Sequence, residues 1–336
     1  MGFSAQAGSV VLRSQATVGT FQADTLTAGI GCILRTGALG TNRDLLVSDP
    51  EIGGGRDVVT AYMGSASWSG DYEFYVRMEM LKTLIKAAFG TAAITTATGV
   101  STTTATPSDG AALPLLSVHE EIGAGLEVYE YTDAAVNTMA LSADANAYFM
   151  GTAGLIAKKQ DARKTAGDAT NIDNTPLTVS TNITVTYNGV DLQAKSFSLS
   201  FTNNYDDSDF RMGSFFLGDL TPKRRELTGS FTIRESSSAL WRQATYGNSA
   251  ATSVSGRPTP QELVIHAETY EIIPDGTPDT PYSFDLTIPN YILSPYSFAA
   301  SGDDIIDSGV DGRALRPSLA TPLCTAVIKG GAATIA

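Results

Sequence analysis

Along this chain the hydrophobic positions alternate with polar ones more often than they recur at helical spacing. Ser67–Arg77 places Tyr72, Phe74 and Val76 on every second residue, and Leu227–Arg234 does the same with Phe231 and Ile233. That period predicts half-buried strands. Helical spacing shows in Met78–Phe89, which ends at Gly90, and in the shorter run Glu235–Tyr246, which ends at Gly247. A glycine just past the last apolar residue predicts a helix stop, because glycine enters the left-handed cap conformation without a Cβ clash.

Strand, short helix and aromatic-glycine stop therefore occur twice, in the same order. After each helix comes a strand ending in histidine, Leu115–His119 and Leu263–His266, and each half closes on a small-residue strand ending in lysine, Ala153–Lys158 and Thr325–Lys329. Before each helix stand a strand and a long polar excursion: Ile30–Thr36 with loop Gly37–Met63, and Phe197–Phe201 with loop Thr202–Arg225. The pattern predicts an internal repeat. Its first domain covers 1–165, its second 176–336, and the polar, aromatic-free run 166–175 reads as a linker or exposed hinge. The second domain opens on a hairpin, Ile183–Tyr187 turning through Asn188-Gly189 into Val190–Leu192. Thr91–Pro107 is nearly all Thr, Ala, Ser and Gly and reads as a solvent-skirting loop.

The fold class expected is mainly β: two similar β-sandwich or split-barrel domains, each with one short flanking helix. Lysines that would guard exposed edges are few in the strand-like runs. Unguarded edges pair with other chains, so the sheets are expected to join into an oligomeric ring.

Composition fits this picture. Charged residues make up 17% of the chain, against the quarter or so usual in soluble domains, and Gly, Ser, Thr and Ala take their place. The net charge of −13 argues against a protein that grips nucleic acid, since that grip needs cations to displace counterions from phosphate. A surface that DNA passes without sticking is compatible with it. Cys32 and Cys324 lie far apart in apolar runs and read as buried free thiols. Met1–Gln6 lacks the basic and apolar segments of a secretion signal, and no apolar run approaches membrane-spanning length, so synthesis in the cytoplasm without a membrane partner is expected.

Catalytic chemistry finds little support. The only histidines are His119 and His266, and His119-Glu120-Glu121 lacks the second histidine of a zinc-protease helix. GxSxG, P-loop and GxGxxG patterns are missing, and Gly53-Gly54-Gly55 lacks the Lys and Ser/Thr that phosphate binding uses. The carboxylates of Gly302–Gly312 depart from calcium-loop spacing, so a solvated turn is preferred. The expectation is a non-enzyme with no catalytic, cofactor or metal site.

Ser67-Trp68-Ser69-Gly70 before a strand and short helix, the strand Leu113–Val118, and Ser196–Asn204 leading through a long loop to Leu227–Phe231 resemble the tail tube (major tail) proteins of long non-contractile phage tails. The resemblance covers most of the chain. It implies β-sandwich domains that each give a small sheet to a continuous barrel, with a long loop reaching the next ring. It implies a virion structural protein, assembled in the host cytoplasm, whose stacked rings conduct DNA without specific binding. Its partners would be itself, the tape-measure protein, the tail terminator and distal tail proteins. Family rings usually hold six single domains, so two domains per chain imply a trimer with pseudo-sixfold symmetry. Three chains giving ~24 strands at ~4.8 Å spacing and ~40° tilt make a barrel ~48 Å across, with roughly 35–40 Å of bore. Candidate inter-ring residues are Glu51, Arg56 and Asp57 on the first loop and Asp206, Asp207, Asp209, Arg224 and Arg225 on the second, pairing by opposite charge. The competing reading is an adhesion or carbohydrate-binding β-sandwich.

Overall fold

The computed structural model describes residues 8–331 apart from 53–56, 59, 111, 124, 163–165, 168, 236, 275 and 298–306. Strands dominate. The first half holds β1 (Ser9–Ser14), α1 (Thr25–Ala28), β2 (Ile30–Cys32), β3 (Thr36–Gly37), β4 (Gly40–Val47), β5 (Ala61–Tyr75), α2 (Met78–Phe89), β6 (Gly90–Ala97), β7 (Val100–Pro107), β8 (Leu116–Ile122), β9 (Glu127–Asp144) and β10 (Met150–Ala162). The second holds β11 (Ile183–Tyr187), β12 (Val190–Asp191), β13 (Ala194–Thr202), β14 (Glu226–Arg234), α3 (Ala239–Tyr246), β15 (Gln261–Ile272), β16 (Pro281–Leu293), β17 (Asp307–Ala314) and β18 (Thr325–Gly330). Among the described residues no helix is long and apolar enough to cross a membrane.

The expected helix Met78–Phe89 forms whole and the second forms only over Ala239–Tyr246, and their glycine stops are left-handed, Gly90 at φ 93° and Gly247 at φ 83°. α2 buries nearly all its length. Its N-terminal amides are capped from a distance: Met80 N–H donates to Asp173 Oδ2 at 2.6 Å and Met78 N–H to Thr175 Oγ1 at 3.1 Å. At its other end the carbonyls of Ala88 and Phe89 accept from Asn203 Nδ2 and Ser108 N. Every helix end leaves such groups orphaned, and burial here makes outside partners obligatory. The connection between the halves is thus anchored at Asp173 rather than hanging as an exposed hinge, because α2 needs that carboxylate.

The second-half hairpin turns as expected through Asn188 and Gly189, both at positive φ. Two other expectations are corrected. Thr91–Pro107 is not a loop: β6 and β7 pair along their whole length, and β7 then pairs with β18 of the other half. Gly37–Met63 is not a polar excursion throughout, because β4 pairs with the start of β5.

Pairing follows one order in each half: β1–β8–β9–β10–β5–β4 in the first and β11–β15–β16–β17–β14–β13 in the second. The halves join where β9 pairs with β13, and one hydrophobic core runs through both. The long β9 makes this possible. Leu116–Ile122 of β8 pairs with its N-terminal part, and Ser196–Thr202 of β13 with its C-terminal part, with a bulge at Asn137 between them.

Candidate assembly site

The joined halves form an antiparallel wall, β4–β5–β10–β9–β13–β14–β17, to which Tyr291–Leu293 of β16 adds the start of an eighth strand. Directly paired residues in an antiparallel sheet share a face, so the register sorts the wall into rows. One face is apolar. Tyr72, Ala153, Met139, Phe201 and Leu227 make one continuous buried row, and Phe74, Gly151, Leu141, Leu199, Gly229, Gly312 and Leu293 make the next. Glycines in the second row give room to aromatic rings. A Cβ on Gly151 would stand 2.4 Å from Phe74 Cε2, and one on Gly312 would stand 2.4 Å from Tyr291 Cε1.

The opposite face is polar. Its rows read Glu73, Thr152, Ala140, Ser200, Thr228, Arg313; Asp71, Gly154, Thr138, Thr202, Glu226; and Tyr75, Met150, Ser142, Ser198, Ser230, Asp311. Asp144, Ser196, Thr232 and Gly309 follow, then the pair Arg234 and Asp307. Hydroxyls fill about half of these positions. Asp307 is held by Lys195 and, at 3.5 Å, by Arg234, which keep its carboxyl below the usual range. Arg35 lies over the Tyr75 ring at 5.3 Å. The basic groups on this face are therefore few, and half of them are already engaged with a carboxylate.

The wall is open, not closed into a barrel. Among the described residues β4 pairs only with β5, and all eight of its residues are exposed. Beyond Trp68 and Ala157, β5 parts from β10 and runs on towards Ala61 with β4 as its strand partner. The loop between β13 and β14 props this hairpin: Ala66 N–H donates to Phe215 O at 2.8 Å, Ser65 Oγ to Ser214 O at 3.2 Å, and the Trp68 and Phe216 rings lie 6.3 Å apart. The second long excursion foreseen in the sequence thus packs against β5 just past the end of the first.

The charged candidates on them are placed unevenly. Asp57 and Glu51 are exposed, and Arg56 lies outside the described residues. Asp206 pairs with Lys223 at 3.3 Å, Asp209 with Arg211 at 2.6 Å, and Arg224 with Glu226 at 3.7 Å. Arg225 and Arg316 both grip Asp109 at 2.7 Å, and these contacts, that from Arg316 first, hold the Asp109 carboxyl below its usual range. Asp207 is exposed. Four of the eight candidates are therefore partnered within their own chain. Beside the exposed Asn42, Arg43 and Asp44, the hairpin exposes apolar side chains: Leu45, Leu46, Val47, Tyr62 and Met63 are each half or more exposed. The signal was legible as the run Leu45-Leu46-Val47, which a reading centred on charge passes over.

Other candidate chemistry disperses. His119 sits buried in β8, and His266 lies on β15 with Nδ1 at 2.5 Å from Asp285 Oδ1. Cys32 and Cys324 are free thiols, and burial pushes the second up to about 12. Among the described residues no group of three or more His, Cys, Asp or Glu side chains could hold a metal ion, and Asp303 and Asp304 of the acidic turn lie outside them.

The search of curated proteins gave no match. A family model described as phage tail tube protein matches residues 5–309, and the chain belongs to that family.

Proposed function

We propose, with membership of the phage tail tube family as the premise, that this chain is a structural subunit whose rings stack into the tube through which DNA leaves the virion. The observation that carries this reading is the wall: apolar rows on the covered face, hydroxyls and carboxylates on the other, and an unpaired edge at β4. A sheet of that kind is completed by another copy joining its edge. The polar face then lines the bore. With few free cations there, phosphate gains no counterion-release attraction, and DNA slides past.

The shared pairing order supports reading the halves as tandem copies, each contributing four strands to the wall. Three chains then supply ~24 strands and a barrel ~48 Å across by the spacing and tilt usual in barrels. Six chains would double that width. The ring is a trimer with pseudo-sixfold symmetry, assembled in the host cytoplasm. Its further partners are the tape-measure protein within and the terminator and distal tail proteins at the ends. The role needs no cofactor and no catalysis.

Electron microscopy of the purified full chain tests this. Stacked annuli with three chains per ring are expected. Six chains per ring would overturn the trimer, and dispersed monomers that bind sugars would favour an adhesion module instead.

A further inference from the structure

Between β3 and β4 the chain makes a short crossing whose backbone bonds leave its own ladder. Thr36 and Gly37 pair with Glu73 and Tyr72 of β5, and pairing resumes at Gly40 with Ser69. Ala38 and Leu39 fall between these pairs, so close to β5 that a Cβ on Gly70 would collide with Ala38 O and one on Gly37 with Asp71 O. Leu39 is buried. Its N–H donates to Glu120 Oε2 at 3.5 Å, and its carbonyl accepts from Tyr131 Oη at 3.1 Å. The residue just before the wall's open edge strand is therefore held by side chains of β8 and β9.

Glu120 is only 3% exposed, and its surroundings are neutral. Tyr72 of β5 donates to the same Oε2 at 3.2 Å, and Tyr131 lies within hydrogen-bond reach as well. Val10 of β1 and Tyr129 of β9 pair directly with Glu120, and Cys32 of β2 lies beside Tyr72. Burial pushes the Tyr72 and Tyr131 phenols and the Cys32 thiol up, so they keep their protons. The adjacent His119 shares the other face of β8 with Glu121 and Glu130. Among the described residues no cation offsets a charge on Glu120. A buried carboxylate with neutral donors alone is costly, whereas the protonated acid is not. The weakest cover over it is the crossing, since Tyr72 and Tyr131 stand in long paired strands while Ala38 and Leu39 fall between ladder pairs.

We infer that Glu120 is a proton-sensitive mooring for β4: with its proton in place the crossing Thr36–Leu39 lies down and roots the open edge of the wall, and when the proton leaves the crossing lifts to let water reach the carboxylate. The fold thus carries a pH control on its own unpaired edge. The mooring is a property of the single chain. Its consequence, that copies join more readily on the acidic side, rests on the ring-subunit reading.

Desolvation, the largest cause, raises the Glu120 carboxyl above 4.5 while the crossing is closed. The closed form therefore binds the proton more tightly than the lifted form. The opening constant rises about tenfold per pH unit from 4.5 to the closed value, then levels.

Hydrogen exchange of the unassembled full chain, corrected for the intrinsic pH dependence of amide exchange, tests this. The amides of Leu39–Arg43 should lose about tenfold in protection per pH unit over that window, and at every pH should exchange faster than those of β10. Glu120→Gln should stay protected throughout. Tyr72→Phe, which takes a donor from the carboxylate, should carry the slope to higher pH, a shift that lost packing alone does not produce. Flat protection in the wild type, a slope kept by Glu120→Gln, or protection equal to that of β10 would each overturn the mooring. The concentration needed for tube growth should rise with pH in the wild type and not in Glu120→Gln. Growth indifferent to pH beside a proton-linked opening would overturn the consequence alone. A wild-type chain that forms no rings at any pH would sink the ring-subunit reading, and the exchange result would still judge the mooring.

Discussion

Removing the Asn203 side chain should loosen the junction of the two halves more than any surface change. Asn203 is 2% exposed, and its Nδ2 donates to Ala88 O at 2.9 Å and to Val136 O at 3.0 Å. One carbonyl belongs to the last turn of α2, the other to β9 beside its bulge at Asn137. The residue itself begins the second-half loop, and its own N–H donates to Asn137 O. Asn203→Ala leaves two buried carbonyls without this donor, at about 1–3 kcal/mol each, or roughly 2–6 kcal/mol together. Unfolding entropy of about 2.1 cal/mol/K per residue gives a chain of this length roughly 0.7 kcal/mol per degree, so the melting temperature should fall by roughly 3–9 °C. Asn203→Asp should do worse at neutral pH, where a carboxylate would face two carbonyl oxygens, and should recover partly on acidification as the carboxyl regains an O–H donor. Calorimetry of the unassembled protein measures both. A loss below about 1 °C for Asn203→Ala would refute the accounting of buried carbonyls on which the estimate stands.

Gly151→Ala should cost about 1–3 kcal/mol by overpacking, because the new Cβ meets the fully buried Phe74 ring; denaturant melts of the monomer would measure it, and a neutral result would mean the ring moves freely. The two histidines should titrate apart in an NMR pH series: His119 below its ordinary 6.5 because of burial, His266 above it because of its hydrogen bond to Asp285. Coincident titrations near 6.5 would count against the environments described. Glu120 is buried, and desolvation raises its carboxyl above 4.5 despite hydrogen bonds from Leu39 N–H and Tyr72. A raised acid binds its proton more tightly folded than unfolded, so stability should fall as pH climbs from 4.5 towards the folded value, then level. Glu120→Gln should remove that slope, and melting curves that keep it across the series would show another group is responsible.

What the sequence conveyed depended on how sharply polarity alternates. α2 was legible because its leucines, methionines and Phe89 mark one face and Gly90 marks the end; β5 was legible because aromatics alternate with charge, and β14 because Phe231 and Ile233 alternate with Ser230, Thr232 and Arg234. The β6–β7 hairpin was hidden by chemistry. Ser101, Thr103 and Ala105 face inward while Thr102, Thr104 and Thr106 face more outward, but hydropathy barely distinguishes the two sets. The β-branched threonines and the turn at Thr98-Gly99, both at positive φ, were the available signals. At the candidate site, sequence found the second excursion but could not place it against β5. The contact of Ala66 with Phe215 joins residues some 150 positions apart, and no local pattern encodes it. The internal partners of Asp206 and Arg225, at Lys223 and Asp109, are equally invisible before the loop is folded.

The pairing of β9 with β13 has an arithmetical result for any closed cylinder made of whole chains. Since each molecule brings its two four-strand panels already fastened, the panel count is always even. A cylinder of five or seven panels cannot arise by adding or dropping one, and the smallest possible error is a whole molecule. Such a slip alters the circumference by a third in a three-molecule cylinder, too large a strain for the register to absorb. Accuracy of diameter would then follow from a covalent link rather than from fine adjustment of angles between neighbours.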